Sequence, residues 1–303
     1  MIYIQVQFTI PNISQYIKKV NTTLLYFLTK YVKILSYTDT GSDNMLSNFH
    51  THTKRCLHAY GSEEDYVKSA VDSGLELLGF SDHAPFPDYD FGYRMPYSEL
   101  EEYLAEVNRL REIYKDKLTI FKGLEIEYHP KYSDYYKILL EDMKLDYLLL
   151  GEHMYTESSG EIKNIFFAES TDDYLSYAQS VCQAIETGFF AVVAHPDIMF
   201  INDHKWDNNC EKACRLIAEC ASANDVILEF NANGFRRNKM LYSDDIVRYP
   251  YPHKLFWDIA KKEGVRVIAG SDCHSPDQMY DEYMKKAVHT AQEFGLKFVS
   301  TIF

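Results

Sequence analysis

Nowhere in its 303 residues does the chain hold an apolar run of the roughly 20 positions that a membrane-crossing helix needs. The stretch Leu24 to Leu28 is apolar, but Lys30 and Lys33 interrupt it, and no small-residue cleavage site follows. Neither a membrane partner nor a cleavable signal is therefore expected, and the expected location is the cytoplasm. Paired CxxC spacings are also missing: Cys56, Cys182, Cys210, Cys214, Cys220 and Cys273 are scattered through a chain too long to need disulfide staples. They read as buried thiols in a reducing compartment. Positive charge is scarce. The net charge is −14 and there is no basic stripe, which argues against a nucleic-acid partner because binding a phosphate backbone calls for a basic surface. A small anionic substrate is compatible with that charge, since bound cations supply local positive charge. Internal repeats and low-complexity tracts are absent as well.

What is present is an alternation of strand and helix. Hydrophobic residues make up 46% and charged residues 25%, ordinary for a globular chain. Residues 1–45 do not match the rest and read as an N-terminal extension, peripheral or poorly ordered. From Leu46 onward, Ser62-Glu-Glu-Asp65 has the form of a capping box opening a helix to about Ser73. Ser98-x-x-Glu101 starts a second helix with Leu100, Leu104, Val107 and Leu110 at core spacing. Further helices are expected near 132–143, 172–187, 208–222 and 253–263. Between them lie seven apolar runs, near-continuous as in strands covered on both faces. Such alternation predicts parallel strands with right-handed crossovers. No glycine-rich phosphate loop follows the first strand, so an open dinucleotide-binding sheet is disfavoured. The expected fold is a distorted (β/α)7 barrel, TIM-like, with its site at the C-terminal rim of the strands.

Each run delivers polar residues at its end. Ser47-Asn-Phe-His-Thr-His-Thr53 places His50 and His52 two positions apart, on one side of an extended segment. The other rim positions are His58, His83, Glu125, His153, His195, Asp272 and His274. Seven of the eleven histidines fall in this set; His129, His204, His253 and His289 do not end a strand and read as structural or surface residues. Seven imidazoles and two acids at one barrel mouth are costly unless something binds them. Zn, Fe and Mn all suit such a donor set, and a carboxylate bridges two of them.

His50-x-His52, His58, Ser81-Asp82-His83, Gly123-Leu-Glu125, Gly151-Glu-His153, Ala194-His195-Pro196 and Ser271-Asp272-x-His274 together resemble the polymerase and histidinol phosphatase (PHP) superfamily. Asp82-His83-Ala-Pro-Phe-Pro87, Arg94-Met95, Gly123-Leu-Glu-Ile-Glu127, Leu148-Leu-Leu-Gly-Glu-His153 and Glu229-x-Asn231-x-x-Gly234-x-Arg236 are most similar to the histidinol-phosphatases of the monofunctional PHP type. The resemblance covers residues 46–303, which it marks as a catalytic barrel. It implies three divalent ions: one on His50, His52, Glu125 and Asp272, a second on Glu125, His153 and His195, and a third on His58, His83 and His274. It also implies hydrolysis of a small phosphomonoester, L-histidinol phosphate, by a metal-bound hydroxide, with Glu125, Asp272 and His274 in the catalytic role.

Arg94 and Arg236 are candidate phosphate contacts because a guanidinium fork matches phosphate oxygens. Arg237, beside Arg236, is an alternative, and Asn231 joins them as a candidate substrate contact. Asp82 and Glu152 precede ligand histidines and either orient them or serve a solvent or capping role. Glu127 shares a strand face with Glu125 and either enters the mouth or lines it, while Tyr93, Tyr97 and Tyr128 are candidates to line an imidazole pocket. Two rival readings remain at this level. One keeps the metals and changes the substrate to a nucleotide, sugar phosphate or phosphotyrosine. The other is a non-catalytic metal-stabilised scaffold, disfavoured because all nine ligand positions are filled.

Overall fold

Each apolar run becomes a short parallel strand, and each amphipathic stretch becomes the helix that returns the chain to the next strand. The computed structural model describes residues 46–303, Ser158 and Asp244 excepted, so the expectation for residues 1–45 lies outside the described residues. Eight strands pair in sequence order: β1 (Ser47–Asn48), β2 (Leu77–Phe80), β3 (Thr119–Ile126), β4 (Tyr147–Leu150), β5 (Val192–Val193), β6 (Ile227–Asn231), β7 (Arg266–Gly270) and β8 (Lys297–Phe298). Every pairing is parallel. The longer crossover helices are α1 (Glu63–Asp72), α2 (Leu100–Tyr114), α3 (Thr171–Glu186), α4 (Asn208–Ala223), α5 (Lys254–Lys262) and α6 (Glu282–Glu293). A shorter helical segment, Ser133–Lys137 continued by a π-turn at Ile138–Asp142, joins β3 to β4.

The sheet curls until its first strand meets its seventh. Past β1, Thr51 bridges Cys273, with the His52 amide donating to the Cys273 carbonyl at 3.0 Å. Asn48 secures this seam: its Oδ1 accepts the amides of Ser271 and His50, each at 3.1 Å, and its Nδ2 donates to the Met279 carbonyl. Seven strands thus form a distorted TIM-like barrel, as expected, and β8 is appended to the outer edge of β7.

Alternation along the strands separates two apolar layers. Leu78, Phe80, Leu124, Leu148, Leu150, Leu228, Phe230 and Val267 belong to the layer shared with the helices. The intervening positions face the barrel axis, where Phe49 packs on Phe121 (ring centroids 5.5 Å apart) and edge-on to Tyr147 (5.9 Å). The Tyr147 hydroxyl donates to the carbonyls of Phe49 and Phe80. Gly123 gives that ring its space, since a Cβ there would sit 2.4 Å from the Tyr147 ring.

The capping box at Ser62 and Asp65 forms as read, and Ser170 with Asp173 makes another. Ser98 caps nothing: α2 is entered through a 3₁₀ turn at Tyr97–Glu99 that follows Pro96, whose ring pre-sets the backbone. α6 and β8 are additional to the seven-strand reading, although Asp281 caps α6 and Met284, Ala287 and Ala291 are buried at helical spacing. All six cysteines are free, and all but Cys220 are buried. Among the described residues no helix is long and apolar enough to cross a membrane.

The close approach at Tyr147 makes Gly123→Ala an overpacking change that is expected to cost about 1–3 kcal/mol. Thermal unfolding should show a Tm several degrees lower; an unchanged Tm would mean the ring relocates without penalty.

Candidate metal centre

The strand ends aim the polar residues at one another through abrupt turns. His195, ending β5, has φ +30°, and Asp272, beyond β7, has φ +49°. Leu57 (φ +70°) turns the chain just before His58. Left-handed backbone is costly for non-glycine residues and persists where surrounding structure enforces it. Here it falls on the rim residues His195 and Asp272 themselves and, at Leu57, next to His58. Glu125 and Glu127 project from β3, and Glu229 and Asn231 from β6, on the axial face by the same alternation that sends Phe121 inward.

All nine predicted rim residues gather at the mouth, around the Glu125 carboxylate. Its Oε2 lies 3.4 Å from His50 Nε2, 3.4 Å from His52 Nε2 and 2.9 Å from His83 Nδ1. Its Oε1 lies 3.0 Å from His195 Nε2 and 3.7 Å from His153 Nε2. Asp272 Oδ1 stands 3.6 Å from His50 Nε2 and 3.3 Å from His52 Nε2. Around a tetrahedral ion with bonds of ~2.1 Å, neighbouring ligand atoms stand ~3.4 Å apart, so this spacing is that of a coordination shell. Toward solvent, the Nε2 atoms of His58 and His274 face each other at 3.0 Å. His83 stacks on His58 (ring centroids 5.2 Å) and on His52 (4.2 Å) with Nδ1 against Glu125, and nitrogens of His52, His83 and His274 lie within 4.8 Å of one another.

A test of fit comes from atoms left without partners. His50 Nε2, His52 Nε2 and Glu125 Oε2 are buried and have no hydrogen-bond partner among the described residues. Burial opposes charge on His52, yet the neighbouring carboxylates of Asp272, Asp82 and Glu125 push its pKa up to about 9. Burial opposes ionisation of Glu125 too, but His50, His83 and His153 hold it well below the usual carboxylate range. His274 is pushed down to about 3 by burial and the His52 charge. Divalent cations fit this mixture, satisfying the orphaned nitrogens and the acids together.

The far nitrogens of three rings are held as well. His50 Nδ1 donates to Glu229 at 2.8 Å, and Gly270 leaves room for that carboxylate. His58 Nδ1 donates to the Cys56 carbonyl and His153 Nδ1 to Glu127 at 3.1 Å. Glu229 had no role in the sequence reading beyond its motif. The available signal was strand alternation, which puts it on the same face as Asn231. Asp82 stands 3.8 Å from His52 Nδ1 and accepts the Thr53 amide and hydroxyl. Glu152 neither orients a histidine nor meets solvent. It accepts from Ser180 and the Tyr128 amide in the helix-facing layer, where burial pushes it up to about 8.

The candidate substrate contacts separate. Arg236 is fully engaged: it forks onto Asp281 and donates to the carbonyls of Ser271 and Gln278. Asn231 donates to Glu229 and Asp272 and accepts from the Asn233 amide. Arg94 pairs with Glu127. Arg237 lies over Tyr251, its Nε donating to the Tyr251 hydroxyl, and has no ion pair among the described residues. Of the tyrosines, Tyr93 is exposed edge-on to His58, whereas Tyr97 lies against Tyr135 and Tyr128 against Tyr136, both away from the mouth. None of His129, His204, His253 and His289 joins the cluster: His129 accepts from the Lys131 amide, His204 meets the Ala168 carbonyl, His253 stacks on Phe200, and His289 pairs with Glu293.

The PHP domain model matches residues 48–233. A Deinococcus radiodurans protein named "Probable histidinol-phosphatase" is 29% identical over 240 residues, 77% of this chain and 88% of that one. The histidinol-phosphatase of Bacillus subtilis is 25% identical over 272 residues, 78% of this chain and 97% of its own length. In structure, the histidinol phosphate phosphatase of Lactococcus lactis, solved with Zn, L-histidinol and phosphate, superposes with a TM-score of 0.62. That match has 16% identity and covers 84% of this chain and 95% of that one.

Replacing Glu229 by Gln removes the charged acceptor behind His50. Cation affinity, read by chelator competition, is expected to fall about 10–100-fold. Unchanged affinity would show that His50 is oriented without it.

Proposed function

Because the chain belongs to the PHP domain family, we propose that it is a metal-dependent phosphomonoesterase cleaving L-histidinol phosphate to L-histidinol and phosphate, in histidine biosynthesis. Residues 46–303 are its working barrel. The observation that carries this reading is the Glu125 carboxylate, whose two oxygens face different groups of ligands, as a bridging group requires. The substrate rests on the curated relatives, three of which bear the histidinol-phosphatase name over about three quarters of this chain. A charge of −14 supports a small ester over a nucleic acid.

His50, His52, Glu125 and Asp272 would hold one cation, Glu125, His153 and His195 a second, and His58, His83 and His274 a third. Zn, Fe and Mn all suit these donors. When bound, such ions lower the pKa of an attacking water and neutralise charge on phosphoryl oxygens, so no side-chain nucleophile is needed. The protein's own part is to set geometry. Asn231 and Asn233 anchor Asp272 Oδ2, leaving Oδ1 toward His50 and His52. Arg237 is the cationic fork left to grip the phosphoryl group, while Arg236 braces β7 against the start of α6.

Phosphate release from histidinol phosphate by the Mn- or Zn-loaded protein should exceed that from nucleotides or phosphotyrosine by more than about tenfold in kcat/KM. Equal or reversed rates would defeat the substrate assignment. His153→Ala and Asp272→Ala should each abolish release while circular dichroism stays native. The two arginines should part: Arg237→Ala raises KM at nearly unchanged Tm, and Arg236→Ala lowers stability by roughly 3 kcal/mol. The opposite pattern would exchange their roles.

A further inference from the structure

Arg94 reaches the mouth from a loop rather than a strand, and its contacts point away from a substrate. Tyr93, with φ +50°, turns the chain so that the Arg94 side chain runs inward. Nη1 donates to the carbonyls of Gly92 and Tyr93, each at 3.2 Å, which closes the loop on itself. Nη2 pairs with Glu127 Oε1, in a position where only 10% of the arginine side chain and 2% of the glutamate side chain are exposed. The same Oε1 is the acceptor for His153 Nδ1 at 3.1 Å, and His153 Nε2 faces Glu125. One residue on, the Met95 amide donates to the carbonyl of His83, tying the loop to a second rim histidine.

We propose that Arg94 is a positioning residue for a cation ligand: it fixes the Glu127 carboxylate, which in turn fixes the tautomer and ring plane of His153. A histidine that donates Nδ1–H to a held carboxylate must present Nε2 as its free lone pair, and an anchored acceptor restricts ring rotation. The guanidinium is a suitable anchor because its plane is itself held, with Nη1 on the Gly92 and Tyr93 carbonyls, so that Nη2 meets Glu127 Oε1 from one direction, whereas an ammonium acts as a point charge. His153 has need of such a brace. Its side chain is 14% exposed, against 0% for His50 and His52, and Phe166 stacks on one face of its ring at 5.9 Å. The inference rests on the reading that His153 holds a cation.

The test compares Arg94→Gln, Glu127→Gln and the double variant, each reloaded with Zn or Mn. Cation content and affinity are measured by elemental analysis and chelator competition, alongside kcat and KM for histidinol phosphate. Each single variant should weaken one bound cation by about 10–100-fold, with KM changed by less than about threefold. The double variant should be no worse than Glu127→Gln alone, because both changes cut one chain of contacts. Arg94→Lys should recover only part of the affinity, and it serves in place of Arg94→Gln if that variant does not fold. A KM raised more than about tenfold with cation affinity intact would make Arg94 a phosphate contact and overturn the proposal, as would additive losses in the double variant. A wild-type protein that binds no cation would sink the metal-centre reading itself, a result distinct from either.

Discussion

One buried carboxylate governs the mouth of this barrel. Glu125 is 1% exposed, and an isolated ionised acid in such a place would be driven to take up a proton. It stays ionised because five imidazoles surround it: three approach one oxygen and two the other. Room for it is made by Gly151, where a Cβ would fall 2.2 Å from Oε1. The segments that carry those imidazoles are therefore obliged to end within a few ångströms of one point. The left-handed turns at His195 and Asp272 are local consequences of that convergence.

The barrel interior meets this demand by being two things along its axis. Toward the N-terminal ends of the strands it is a packed aromatic plug of Phe49, Phe121 and Tyr147, with glycine wherever the tyrosine ring needs space. Toward the C-terminal ends it is ionic. The two zones occupy the same strand faces: Phe121 and Glu125 lie on one side of β3, as do Ile227, Glu229 and Asn231 on β6. Water is excluded from below by the plug, which strengthens every electrostatic contact above it. The acids behind the ring then hold two histidines by Nδ1, Glu229 holding His50 and Glu127 holding His153, so that the Nε2 atoms of both face Glu125.

The fold and the cluster at its rim were legible in the sequence for a physical reason. Strand–helix alternation is a local pattern, and parallel connectivity puts all strand ends on one rim, so a histidine or acid closing an apolar run has its address written beside it. His50, His52, His83, Glu125, His153, His195 and Asp272 were found that way. The entry to α2 was read less well, because Pro96 and a 3₁₀ turn replaced the Ser98 cap. The last helix and the edge strand after it lay beyond the seven motif-bearing runs, with no rim residue to draw attention to them.

What the sequence determined by itself was the architecture and the chemistry of the donors, since both depend on residue type and short-range spacing. What only the tertiary structure decided was how the remaining polar residues are spent. Two adjacent arginines look alike in sequence, yet Arg236 is consumed by Asp281, 45 positions away, and Arg237 is not. Glu229 serves His50 across 179 positions, and Glu152, though next to a rim histidine, turns to the opposite face of its segment. Partnership of this kind depends on which side chains meet across the barrel wall, and no local pattern encodes that meeting.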